Sequence, residues 1–311
     1  DIDAYILAFA AKASNNWVGN ANGTNSVATF GDMATAVTRL KKEGVEDEVR
    51  AVLSYDDWQA LGSAVVTNNA SLTDEGSGTY RNGWSGSIAG IPTMFTQQLQ
   101  PLTVGTRVAS ATTLTNQPST PAVEYATVAI SGAPGQYLTS TINLDGQSGS
   151  VTLKDGEVFT IDGVFAYDNR AKKRLEHLQQ FRVIGDYTAT AGAFANVRIF
   201  PAIIDAGAYK TVDNANANYD GRAVTHVGVA STATMPRFLA NKSAVVVNTA
   251  DLIMPATGTA SRKALTKVPL SVRMWQDSVF ATGEHRIRFD VALEANVAAD
   301  GRRRIVRVNG S

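Results

Sequence analysis

Residues 151–169 read VTLKDGEVFTIDGVFAYDN, and no other stretch restricts the architecture of the chain as much. Val151 and Leu153 alternate with Thr152 and Lys154, and Asp155-Gly156 follows. Glu157 to Ile161 alternates again, and Asp162-Gly163 precedes Val164-Phe165-Ala166-Tyr167. Asp-Gly between alternating apolar runs signals a tight turn, because Gly tolerates positive φ and Asp hydrogen-bonds its own backbone. Two such turns seven residues apart predict strand, turn, strand, turn, strand. A small meander of this kind suits an enzyme's sheet, a carbohydrate-binding sandwich or an inserted module, so the flanking segments must decide.

From about Val104 to Val224 the chain is dominated by Thr, Ser, Val and Gly, with short alternating runs such as YATVAIS, YLTSTINLDG and FANVRIFPAII. Evenly spaced short strands with turn residues between them predict a small barrel or sandwich. NRAKKRLEHLQQF (169–181) is the one helix-like interruption. Outside this block the pattern is mixed. Ile2, Tyr5, Ile6 and Phe9 fall at helical spacing until Asn15-Asn16, and 29–44 predicts a second helix stopped at Gly44. RAVLSYDDWQALGSAV (50–65) predicts a short strand, then a helical turn capped by Ser54. RFLANKSAVVVNTADLIMP predicts an amphipathic turn and then a strand from Ala244 to Asn248. Near the end, Leu270 to Trp275 and His285 to Leu293 are long strands on either side of a Thr-Gly turn. An α+β body interrupted by an all-β insert results.

Composition removes several classes of function. There is no cysteine among 311 residues, which excludes disulfides, thiolate metal sites and a cysteine nucleophile. Acidic and basic residues balance at 28 each, so no global attraction to nucleic acid or membrane is implied. No apolar run approaches the roughly 20 residues that span a bilayer. Only 18% of residues are charged, which suits a surface covered by neighbours. The chain begins already in helical rhythm, as a fragment or a processed product would.

Chemistry-bearing motifs are equally sparse. His177, His226 and His285 have no metal-ligand spacing around them. GWSGS (83–87) and GQSGS (146–150) miss the nucleophile-elbow spacing by one residue and read as turns. DNANANYDG (213–221) resembles a calcium loop, but Ala215 and Ala217 stand where oxygen ligands are needed. NGT, NAS and NKS match the glycosylation sequon, a tripeptide that chance supplies readily here. Arg302, Arg303 and Arg304 could touch phosphate or a neighbouring subunit, and no aromatic residue interleaves with them for base stacking. The sequence therefore offers no catalytic, cofactor-binding or metal-ligating residue and calls for no cofactor.

The order of the segments is more telling. An Ala-rich helix (DIDAYILAFAAKAS), a Gly/Asn-rich loop, a second helix (FGDMATAVTRLKKEG) and a strand with an aromatic helical turn (RAVLSYDDWQAL) lead into YRNGWSGSIAGIPTMFTQQLQPLTVGT. In it, Tyr80, Arg81, Asn82, Gly83, Ala89, Gly90 and Ile91 stand as an aromatic-Arg-Asn-Gly…Ala-Gly-aliphatic stretch. KDGEVFTIDGVFAYD, VRIFPAII, DNANANYDG and HRIRFDVALEANV follow in order. Across nearly its whole length the chain resembles the P22-like major capsid proteins of tailed bacteriophages.

That resemblance implies an α+β, HK97-like capsid fold with a spine helix, peripheral and axial domains and an inserted all-β barrel, the I-domain. On its terms 1–45 start the peripheral domain with the spine helix, and 46–104 and 225–268 are the two parts of the axial domain. Residues 105–224 are the I-domain, and 269–311 are the C-terminal strands of the peripheral domain. An N-terminal arm and an extended loop precede the first helix in the family, and neither is present in this sequence. The implied function is self-assembly into hexamers and pentamers of an icosahedral head enclosing double-stranded DNA. Implied partners are other copies of the chain, a scaffolding protein, a portal at one vertex and DNA contacted non-specifically, with no membrane. The implied location is the virion capsid, after assembly in the host cytoplasm. LTNQPSTPAVEY (114–125) is the candidate for a loop reaching across a two-fold axis, and Arg302 to Arg304 for a subunit contact. The rivals are a phage tail or surface-layer polymer, and a hydrolase in which Asp56, Asp57 and Glu176 would have to converge.

Overall fold

The computed structural model describes every residue except 1, 23, 28, 46–47, 69–86, 89–90, 109–112, 115–138, 169, 207–209, 215–218, 251, 254–258, 266–269, 280–282, 298–304 and 311. It divides into two compact units, residues 1–244 with 297–311, and residues 245–296. In chain order the elements are α1 (Ile2–Ala13), β1 (Asn16–Val18), α2 (Phe30–Lys42), β2 (Val49–Leu53), α3 (Tyr55–Asn68), β3 (Ser87–Ile88), β4 (Ile91–Phe95), β5 (Leu102–Thr103), β6 (Thr113–Leu114) and β7 (Ser140–Asp145). Then come β8 (Thr152–Leu153), β9 (Val158–Asp168), β10 (Lys173–Val183), β11 (Tyr187–Thr188), β12 (Phe194–Phe200), β13 (Val212–Asn214), β14 (Val224–His226), β15 (Ala233–Thr234) and β16 (Phe238–Asn241). β17 (Val245–Ala250), β18 (Thr259–Leu265), β19 (Leu270–Val279) and β20 (Glu284–Val297) build the second unit, before β21 (Ile305–Val308).

Two sheets carry the first unit. One runs β1-β21-β16-β2-β4-β3, with β1–β21 and β2–β4 parallel. α2 covers it because Met33, Ala36 and Leu40 recur at helical spacing and bury against Leu53, Leu239 and Val306. The helix starts in a capping box: Thr29 accepts from Asp32 N–H, and the Asp32 carboxylate accepts from Thr29 N–H. It stops at Gly44, whose φ of +84° a side chain would oppose. The other sheet is antiparallel, β13-β9-β10-β12-β7-β6, with β14 also on β9. Its core gathers Ile142, Leu144, Phe159, Phe181, Phe194 and Val197, the inward members of alternating strands.

Four local expectations are corrected. The segment read as helix-like at 169–181 is a strand from Lys173 on: β10 pairs with β9 from Lys173↔Asp168 to Arg182↔Val158. Lys, Arg, Leu, Glu and Gln favour helix in isolation, but pairing and burial of Gln179, Phe181 and Val183 override that preference. Asp162-Gly163 is likewise no hairpin turn. β9 runs straight through it, and the β9–β10 register shifts on its way past, so Gly163 at φ +72° occupies a bulge. Asp155-Gly156 is a turn, yet β8 pairs with β11 rather than β9. The amphipathic turn read at 237–243 is β16, paired with both β2 and β21.

The second unit is an antiparallel sheet ordered β17-β20-β19-β18. Its two longest strands pair from Val272↔Val291 to Val279↔Glu284, as the alternation around the Thr-Gly turn predicts.

Candidate functional site

The densest polar chemistry of the first unit lies where residues 12–18 pass between the two sheets. Gln180 on β10 treats Trp17 as a strand partner: its Oε1 accepts from Trp17 N–H at 2.7 Å, and its Nε2 donates to Trp17 O at 2.9 Å. Arg182, two residues on, donates to Lys12 O at 2.8 Å, near the C-terminal end of α1 where the helix dipole favours a cation. From β21, Arg307 donates to Gly156 O at 2.8 Å and Ser14 O at 3.4 Å, with its guanidinium over the Trp17 ring. Ser14 Oγ donates to Ile305 O at 2.8 Å. Burial and the nearby Arg182 charge push the Arg307 pKa down to about 9.

A second buried group closes the 104–108 loop onto this joint. Glu157 pairs with Arg107, and its other oxygen accepts from Gly105 N–H at 2.8 Å and Lys154 N–H at 2.7 Å. Arg107 also donates to the carbonyls of Val227 and Gly228. His226 stacks on Phe159 with ring centroids 5.5 Å apart, and neither of its ring nitrogens has a hydrogen-bond partner. Burial first, and Arg107 second, hold its pKa well below the ordinary imidazole value.

Asp57 anchors the body. Its carboxylate accepts from Ser54 N–H at 2.9 Å, Val27 N–H at 2.8 Å and Arg237 Nε at 2.6 Å, all buried. Ser54 Oγ accepts in turn from Asp57 N–H at 3.3 Å, so the expected cap of α3 is present.

In the second unit, β20 presents Ile287, Phe289 and Val291 on one face, 56%, 68% and 37% exposed. They stand opposite Gln276, Met274 and Val272 of β19. The intervening residues carry charge: Arg273 and Arg288 hold Asp290 at 2.6 and 2.5 Å, and Arg286 pairs with Glu284 at 2.7 Å. Those hydrogen bonds keep the Asp290 carboxyl below its usual pKa. This is an amphipathic sheet with its apolar face open.

The residues singled out in the sequence fall into place unevenly. Asp56 is exposed, Asp57 is fully buried in its cap, and the Glu176 side chain is 94% exposed beside Lys42. No cleft brings the three together. His177 lies 3.5 Å from Glu43, and His285 meets Gln276 at 2.8 Å. Asn241, in the NKS tripeptide, is buried and donates to Glu48 O, which leaves its amide no room for a glycan. Tyr80 to Gly83, Ala89, Gly90, residues 115–125, Ala215, Ala217 and Arg302 to Arg304 lie outside the described residues. Gln180, Arg182, Arg307 and Arg107 went unremarked in the sequence, and His226 was noted only for lacking metal-ligand spacing. A polar residue at an inward position of an alternating strand was the available signal.

A sheet whose apolar face stands open marks an interaction surface. The family model described as P22 coat protein - gene protein 5 matches residues 1–300, and the chain belongs to that family. It is a structural protein of the bacteriophage capsid, and its place is the virion. No curated protein gives a significant match. No helix among the described residues is long and apolar enough to cross a membrane.

Proposed function

We propose that the chain self-assembles into hexamers and pentamers of an icosahedral head that encloses double-stranded DNA. The family match along residues 1–300 carries this reading, because it takes in the helical body, the strand-rich middle and the second unit alike. On the same reading the fold is HK97-like, residues 105–224 are the inserted I-domain, and 46–104 with 225–268 form the axial domain. Residues 1–45 and 269–311 are then the peripheral domain. A scaffolding protein during assembly, a portal at one vertex and non-specific contact with packaged DNA complete the partners. The open apolar residues support it: Phe30, Met94, Ile253, Ile287 and Phe289 are each more than half exposed, and a lattice contact would cover such surface. Zero net charge suits an inner wall that does not grip the duplex. The reading needs no catalytic residue. Nothing favours the tail or surface-layer polymer.

Electron microscopy of the purified chain, alone and co-expressed with its scaffolding protein, tests this directly. Closed polyhedral shells of uniform diameter are expected. Tubes without closure, or monomers under every condition, would overturn it.

A further inference from the structure

Beside the joint at residues 12–18, β10 also passes the C-terminal end of α2. His177 Nε2 stands 3.5 Å from Glu43 Oε1, and Lys42 Nζ stands 3.8 Å from Glu176 Oε2. Arg170, in the turn before β10, lies over Gly44: a Cβ there would be 3.6 Å from its Nη1. Each of these contacts ties the end of α2 to the β9–β10 ribbon through a charged or titratable side chain. Glu43 is the centre of the group. It caps α2, and its side chain is 8% exposed. The C-terminal end of a helix carries partial negative charge, so a buried carboxylate there stands against the field and calls for cations. Arg39 answers at 3.5 Å, but the same Nη2 donates to Asn16 Oδ1 at 3.2 Å, and 3.5 Å is longer than a charge-assisted hydrogen bond.

His177 is the other group in reach. Its side chain is 21% exposed, and its Nε2 is buried without a hydrogen-bond partner. The cations that oppose a charge on it are Arg39 from α2 and, at the rim, Lys42 and Arg170; Lys42 is turned towards the exposed Glu176. Glu46 and Asp47, beyond Gly44, lie outside the described residues. A neutral imidazole has little to gain by closing the gap to Glu43, whereas an imidazolium donates from both nitrogens and gains an ion pair. We propose that His177 and Glu43 form a proton-operated clasp between β10 and α2, slack when the imidazole is neutral and drawn tight when it is protonated. Its stabilisation is present in acid and is lost as pH rises through 5 to 8, where imidazoles give up their proton. The sign is opposite to that of buried His226, so the coupling must be isolated from the pH profile of the whole chain.

The test is a double-mutant cycle in the full chain: wild type, His177→Gln, Glu43→Gln and the double variant, unfolded in urea at pH 8 and pH 5.5, on either side of the imidazole range. Coupling between the two positions should be negligible at pH 8 and at pH 5.5 should favour the folded state about fivefold, the scale of one partly screened ion pair. The cycle cancels His226 and every carboxylate outside the pair. A second readout serves if Glu43→Gln fails to fold. Gly44 and Val45 N–H close the end of α2 on Lys41 O and Leu40 O at 3.0 and 3.1 Å. Their amide exchange, corrected for its intrinsic pH dependence, should be several-fold better protected at the lower pH in the wild type and not in His177→Gln. Coupling that is equal at both pH values or larger at pH 8, or protection at the end of α2 that ignores pH, would make the contact a fixed one and overturn the proposal.

Discussion

His226 is a buried imidazole with nothing to donate to and a cation for a neighbour. Its pKa in the fold is depressed, so below the ordinary value near 6.5 the unfolded chain binds a proton that the folded chain does not. Stability must then fall as pH drops through about 6.5, by up to about 1.4 kcal/mol per pH unit. Urea unfolding at pH 7, 6 and 5 should show this acid loss. His226→Phe, which keeps the stack on Phe159, should flatten it relative to the wild type. An unchanged slope would assign the acid sensitivity to the carboxylates instead. Asp57 teaches the complementary lesson. An acid beside a second acid in a helix-opening sequence invites a catalytic reading, yet its oxygens are consumed by two backbone N–H groups and Arg237. Only burial tells the two roles apart.

At the scale of elements, the two Asp-Gly pairs that look identical in sequence do different work. Gly156 sits at φ +86° with α1 against it: a Cβ there would lie 3.3 Å from Lys12 Cα. Gly163 sits at φ +72°, and its close neighbour is the flexible end of Arg222. Both positions oppose a side chain, but only the first also meets backbone that cannot retreat. Gly156→Val should cost about 4 kcal/mol and leave the chain largely insoluble, and Gly163→Val about 2 kcal/mol, measured by urea unfolding of the soluble fraction. The reverse order would mean that the bulge, not the turn, fixes this sheet. Alternation alone made β7, β12, β19 and β20 legible, and the two halves of β9 but not their continuity; spacing with caps made α2 and the start of α3 legible. β10 was illegible because its helix-favouring residues are held extended by partners distant in sequence. The bulge was illegible because Asp-Gly chemistry is the same in both settings. Gln180 and the buried arginines were illegible for a related reason, since a polar residue between sheets looks like one in water until its partners are known.

For the whole molecule, the open face of β19 and β20 is where assembly and folding can be separated. Phe289 is 68% exposed, so Phe289→Asp should leave the far-ultraviolet circular dichroism of the subunit unchanged. If a neighbour covers that ring in a shell, the concentration needed for assembly should rise tenfold or more, the scale of burying one aromatic side chain. Normal shells from this variant at the usual concentration would place the contact elsewhere. The joint at residues 12–18 has a consequence in time. Asn16 pairs with Val306, and Ser14 reaches Ile305 across 291 positions of chain. A ribosome delivers Ile305 291 positions after Ser14, so β1 must wait for its β21 partner until then. Contacts of such separation make folding slow and leave strand edges open in the meantime. Until β21 arrives, the edge of β16 that it will fill is therefore available to other molecules, and helpers that bind unfinished sheets would act in that window.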